Sequence, residues 1–310
     1  MVSVAGARLA QRRAARRAAP SVERPGAAWA VPGLVFFGIF AIVPMAMVLW
    51  LSFTSWNGLT APQFTGLSNW KEFIHDGTVW QSTLETGILL VGNMVVQAPV
   101  SILLGVWSAG HQRNRAVLSA IFFLPLLFST AATSIMWRQL LDPNFGVPAK
   151  LGWLLGAHTN LFGSESGAIA SLVIITSWQY IPFHTLIYQG AARAIPETLY
   201  QAAAIDGAGR VRQFFAITLP QLRNAIITSS TFMVVGGLTA FDVVLLVTDG
   251  GPGTDSAILP FKMYQTAFQT YDFGYGSAIA SFLLLLATGI SLVLVKASGY
   301  DKMRSTMEGV

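Results

Sequence analysis

Residues 195–220 read IPETLYQAAAIDGAGRVRQFFAITLP. Pro196 suits the first turn of a helix, where its missing N–H costs nothing. Leu199, Ala202, Ala203 and Ile205 follow at helical spacing and form an apolar stripe. Gly207 can adopt the positive φ that ends a helix. Phe214, Phe215 and Ile217 open a second amphipathic segment, and Pro220 closes it. A short alanine-rich helix ending on a glycine turn is a compact knob. It fits a groove on a soluble partner, or it lies on a membrane surface as an interfacial helix. The residues of the loop leave both readings open.

Outward from this loop the chain is apolar. Of its 310 residues, 53% are hydrophobic and only 11% charged, against about 25% charged in soluble domains. Too few charges exist to coat a soluble surface, so lipid must be the solvent for much of it. Windows of about 20 apolar residues, the length that crosses a bilayer core, occur at about 29–51, 86–108, 116–137, 167–190, 224–247 and 275–296. Lipid cannot satisfy backbone polar groups, so each window is predicted helical. The expected fold is therefore all-α, with six transmembrane helices over residues 29–298. Pro44, Pro99, Pro125 and Pro182 fall inside these windows. Asp242 is the one acidic residue well inside an expected span; it either lines a polar cavity or sits near the outer interface.

Six spans put both termini on one side. Fifteen Lys and Arg fall on the side holding the N-terminal tail, the loops after the second and fourth spans, and the C-terminal end. Only Lys71, Arg138, Lys150 and Lys262 fall on the other. The positive-inside rule places both termini, and the 195–220 loop, in the cytoplasm. Residues 1–28, rich in Ala and Arg, are expected to be a disordered basic tail touching anionic membrane lipid rather than nucleic acid. Residues 299–310 are expected to form a second cytoplasmic tail.

Cysteine is absent and the four histidines are scattered, so no thiolate or clustered metal site is expected. The sequence holds no phosphate-cradling G-x-x-x-x-G-K-[ST] loop, and the chain is read as having no catalytic residues.

Ala202, Ala203, Asp206, Gly207, Ala208, Ile217, Leu219 and Pro220 stand in register with the EAA loop of binding-protein-dependent ABC importer permeases. The chain resembles that family, with Gln201 where its pattern has Glu. Phe241-Asp242 followed by Thr248-Asp249-Gly250-Gly251-Pro252 resembles a segment of its carbohydrate-uptake branch, the maltose-type permeases. The resemblance covers roughly residues 29–300 and implies the type I importer permease fold in a bacterial inner membrane. It implies four kinds of partner contact: a second permease subunit, a dimer of ATPase subunits, an extracytoplasmic solute-binding protein and lipid. ATP and Mg would be bound by the ATPases and no cofactor by this chain. Coupling to the ATPase is expected at Tyr200, Gln201, Ala202, Ala203, Asp206, Gly207 and Ala208.

For the solute, Thr176, Trp178, Gln179, Tyr180 and Phe183 in the fourth span combine rings and amides. Sugars need such a set, because flat C–H faces stack on aromatics and hydroxyls need donors and acceptors. Gly236-Gly237 in the fifth span permits close approach or local unwinding, beside Leu238, Thr239 and Asp242. The resemblance implies a sugar, of oligosaccharide type, at these positions; glycerol 3-phosphate or another polyol-type solute is the alternative within the family. An ion-coupled secondary transporter would need intramembrane ionisable pairs or internal repeats, and the sequence offers only Asp242.

Overall fold

The computed structural model describes residues 27–110, 120–150 and 160–297. The expected N-terminal tail up to residue 26, Arg113, Arg115 and the expected tail 299–310 lie outside the described residues. The chain divides into two compact units, residues 1–47 and 48–310. The described part of the first is a short turn, Ala27–Ala30, and most of helix α1, Val31–Leu51. The mean hydropathy of α1 is 2.5 and its apolar side chains, Phe36, Phe37 and Phe40 among them, are exposed. At 1.5 Å per residue its 21 residues span about 30 Å, the thickness of a bilayer core.

The second unit opens with a two-stranded antiparallel ribbon, β1 (Thr54–Ser55) and β2 (Gln63–Phe64). Helix α2 (Ser68–His75) follows, and its Asn69 amide donates to the carbonyls of Ser52 at 3.0 Å and Thr54 at 2.8 Å. Asp76 then caps the 32-residue helix α3, Gly77–Ser108, accepting from the Thr78 N–H at 2.8 Å. The helix begins at 77 rather than at 86 because this cap extends it beyond the apolar run. It thereby carries a second acidic residue, Glu85, buried at 3% exposure. Asp242 is thus not alone.

The expected third span, 116–137, is not one helix over its described part. α4 (Leu124–Leu127) stops at Phe128, which is extended, and α5 (Thr130–Leu140) starts afresh. The reason is local: the Ser129 hydroxyl accepts from the Ala132 N–H at 3.2 Å, a cap that competes with helix continuation.

α6 (Glu165–Arg193) stays helical through Pro182. It runs parallel to α3. Thr176 donates to Asn93 Oδ1 at 2.7 Å, Ser101 to the Ile181 carbonyl at 3.3 Å, and Gln189 to the Ser108 carbonyl at 3.0 Å. Near the end of this seam a Cβ on Gly105 would lie 2.6 Å from Tyr188 Cβ, so only glycine permits the approach. After α6 come α7 (Glu197–Ile205) and α8 (Arg210–Gln213), the latter continuing through a wide turn over Phe214–Thr218.

α9 (Arg223–Leu238) and α10 (Phe241–Val247) form one apolar path bent by 47°. α11 (Leu259–Tyr264) and α12 (Phe273–Ala297) follow. Two cores hold the unit together. Leu89, Leu172, Ile175, Val244 and Phe261 join α3, α6, α10 and α11. Phe73, Val79, Leu238, Tyr275 and Ile279 join α2, α3, α9 and α12. Among the described residues, four helices (α1, α3, α6 and α12) are long and apolar enough to cross a membrane. The bent α9–α10 pair makes a fifth path.

Candidate functional site: a cavity beside a bent helix and an exposed helical knob

Where α6 faces the bend between α9 and α10, the packing opens into a cavity of about 330 Å³. The bend sets its shape. Helical hydrogen bonding lapses at Thr239–Ala240, and the Thr239 hydroxyl folds back to donate to the Val235 carbonyl at 3.0 Å. Gly236 borders the cavity without a side chain, and a Cβ there would meet nothing within 4 Å.

Of the expected solute-site residues, Thr176, Tyr180, Phe183, Thr239 and Asp242 border this cavity together. Phe183 packs edge-on to Phe232 at 5.5 Å between ring centroids. The Tyr180 hydroxyl lies 3.3 Å from that of Thr130. Gln179 sits just behind, its amide donating to the Phe128 carbonyl at 3.2 Å; it holds the break between α4 and α5 against α6. Trp178 faces elsewhere, edge-on to Trp137 at 5.7 Å. Leu238 is buried in the second core. The Asp242 carboxylate is exposed along the cavity wall.

His184 on α6 also borders the cavity, and so do residues the sequence did not single out, among them the amides Asn93 and Gln97 on α3, Thr130 on α5 and Phe232 on α9. His184 is buried, with Nδ1 2.8 Å from the Ser229 hydroxyl. The available signal was spacing. Asn93, Gln97, Ser101 and Gly105 recur every fourth position of an otherwise apolar helix, which puts them on one face. Among the described residues lining the cavity none is Lys or Arg, and Asp242 carries the only formal charge.

The 195–220 loop folds as the capping signals dictate. Gly207 has φ +75°. The Gly207 N–H donates to the Ala204 carbonyl at 3.1 Å and the Ala208 N–H to the Ala203 carbonyl at 2.8 Å. This is the paired arrangement that ends helices on a left-handed residue. Ile205 is 87% exposed, and Gln201, Ala202, Asp206 and Gly207 are exposed with it. Ala203, Ala208 and Tyr200 are half-buried. The Tyr200 hydroxyl reaches back to that of Thr218 at 2.9 Å, and the Gln213 amide donates to the Ala208 carbonyl at 2.9 Å. The knob is tied to the segment leading into α9.

Long apolar helices, a bent span, a cavity of mixed polar and apolar lining beside the bend and a capped knob on the connecting loop mark a multi-pass membrane protein. Residues 101–298 match the family described as binding-protein-dependent transport system inner membrane component. A probable ABC transporter permease protein of Pyrococcus horikoshii is 33% identical over 84% of this chain and 91% of its own. The multiple sugar-binding transport system permease of Streptococcus mutans is 29% identical over 86% and 92%. The trehalose/maltose transport system permease of Thermococcus litoralis is 28% identical over 88% and 92%. In fold, the chain resembles a bacterial ABC transporter involved in import of the acidic polysaccharide alginate, with TM-score 0.77 and 20% identity over 89% of this chain and 95% of that one. The chain belongs to the family of inner-membrane permease components of binding-protein-dependent ABC transport systems.

Proposed function

We propose that the chain is one of two permease subunits of an ATP-driven importer for a neutral sugar of oligosaccharide type. The cavity would take the sugar during transfer. The observation that carries this reading is the lining: rings from Tyr180, Phe183 and Phe232, amides from Asn93 and Gln97, hydroxyls from Thr130, Thr176 and Thr239, one carboxylate and, among the described residues, no Lys or Arg. A phosphate ester would need Lys or Arg to offset its charge, and Asp242, in the first turn of α10, would repel it. The lining thus favours a neutral sugar over glycerol 3-phosphate. The names of relatives that carry multiple sugars, or trehalose and maltose, agree with it.

In this reading six spans cross the membrane, both termini and α7 face the cytoplasm, and an extracytoplasmic binding protein delivers the ligand. Two ATPase subunits bind and hydrolyse ATP with Mg. Their closure grips the knob at Tyr200–Ala208 and rocks the bundle as a rigid body, alternating access to the cavity. The exposed Ile205 and the cap at Gly207 suit such a grip. The test is uptake by the complete transporter in liposomes, offered maltose, trehalose, raffinose and glycerol 3-phosphate in turn. Uptake of a neutral sugar, undiminished by a hundredfold excess of glycerol 3-phosphate, is expected. Uptake of glycerol 3-phosphate alone would contradict it.

A further inference from the structure

Along the face of α3 that meets α6, each residue of the four-residue repeat has an evident partner except one. Asn93 Oδ1 accepts from Thr176, Ser101 donates to the Ile181 carbonyl, and Gly105 admits Tyr188. Gln97 is 4% exposed, yet neither end of its amide has a hydrogen-bond partner among the described residues. Its polar atoms are not sealed in the packing either; the residue borders the cavity. A primary amide offers two donors and an acceptor. Burying one with nothing to bond costs stability that a leucine or methionine of similar volume would not cost. On the same cavity wall, Asn93 Nδ2 and the second ring nitrogen of His184 are also without protein partners among the described residues. Other polar side-chain atoms without partners, those of Glu85 and Ser177 among them, are sealed in the packing away from the cavity; the unpaired groups of Gln97, Asn93 and His184 differ in bordering an opening a ligand can enter.

We propose that Gln97 is a specificity-determining residue that reads a pair of adjacent hydroxyls on the sugar, with the Asn93 amide one turn away. An amide matches a vicinal diol: one hydroxyl donates to Oε1 while its neighbour accepts from Nε2. The ligand is thereby read from α3 as well as from α6 and α9. This inference rests on the sugar reading given above.

The test is equilibrium binding of radiolabelled maltose, trehalose and raffinose to the detergent-purified transporter, both permease subunits and the ATPases included, alongside its thermal midpoint. Gln97→Leu is expected to raise Kd about tenfold for whichever sugar binds, the scale of one lost hydrogen bond or slightly more. Its thermal midpoint should stay level or rise, since an unpaired amide is removed. Gln97→Glu, which keeps an acceptor, should fall between. Gln97→Met serves as the second apolar variant if the leucine variant does not assemble. An unchanged Kd, a Kd loss that tracks a fallen thermal midpoint, or failure of both apolar variants to assemble overturns the proposal. If the wild-type transporter binds none of the three sugars, the sugar reading itself falls, and this inference with it.

Discussion

The Tyr200 hydroxyl lies 2.9 Å from the Thr218 hydroxyl, joining the short helix α7 to the buried end of the wide turn that leads into α9. A force applied to the exposed face of α7 therefore reaches the bent span through a fixed contact as well as through the chain. Tyr200→Phe removes one hydroxyl and keeps the ring. We expect it to slow uptake about two- to fivefold, the range of one partly buried hydrogen bond, with unchanged amounts of protein in the membrane. Equal uptake rates in the two proteins would show that the contact transmits nothing.

Gly207 tests the knob by backbone geometry alone. Its φ is +75°, and a Cβ there would meet no neighbour within 4 Å. Substitution effects at this position therefore come from conformation, not from crowding. Gly207→Asn should retain most activity, because asparagine tolerates the left-handed region. Gly207→Val, β-branched, should cost at least tenfold in uptake. The check is uptake normalised to immunoblotted membrane protein.

Gly105 tests the seam between α3 and α6. A Cβ at this position falls 2.6 Å from Tyr188 Cβ and 3.0 Å from the Thr185 carbonyl oxygen. Gly105→Val must push the two helices apart, at a cost of about 1–3 kcal/mol. The expected result is a lowered thermal midpoint in detergent, whereas Gly190→Ala, where a Cβ meets nothing within 4 Å, should leave it in place.

Asp76 supplies a pH dependence. Burial pushes its carboxyl up, but hydrogen bonds from Thr78 and Tyr275, together with the charge of Lys262, outweigh that and hold it below its ordinary value of 3.8. A carboxyl depressed in the folded state stabilises it above the unfolded value, and that stability is lost as pH falls through the folded value. Asp76→Asn should therefore melt lower than wild type at neutral pH. The gap should narrow only below about pH 4, in a thermal series across pH 3–7.

Much of this architecture was legible in the sequence because lipid leaves a helix few options. The apolar runs of α1, α6 and α12 lie close to where hydropathy places them, and the knob ends where Gly207 says it must. The rest depended on local polar contacts that hydropathy averages away. The Ser129 cap breaks the expected third span within an apolar stretch. The Asp76 cap starts α3 early enough to bring Glu85 inside it. At the cavity, the expected pair of helices is present, but Trp178 turned to Trp137 and Leu238 to the second core. Span membership alone does not say which side of a helix faces an opening. Asn93 and Gln97 escaped notice because isolated amides in an apolar run read as tolerated exceptions until their common face is seen.

The central claim is that nucleotide turnover on a partner drives this chain through α7. It is tested most directly by sugar uptake into liposomes holding the complete transporter, with and without ATP in the lumen, for wild type and Gly207→Pro. Proline fixes φ near −65° and cannot form the +75° turn. The account predicts uptake by wild type only when ATP is present, and no ATP-dependent uptake by a Gly207→Pro protein that still inserts. Uptake without nucleotide, or undiminished transport by the proline variant, would contradict it.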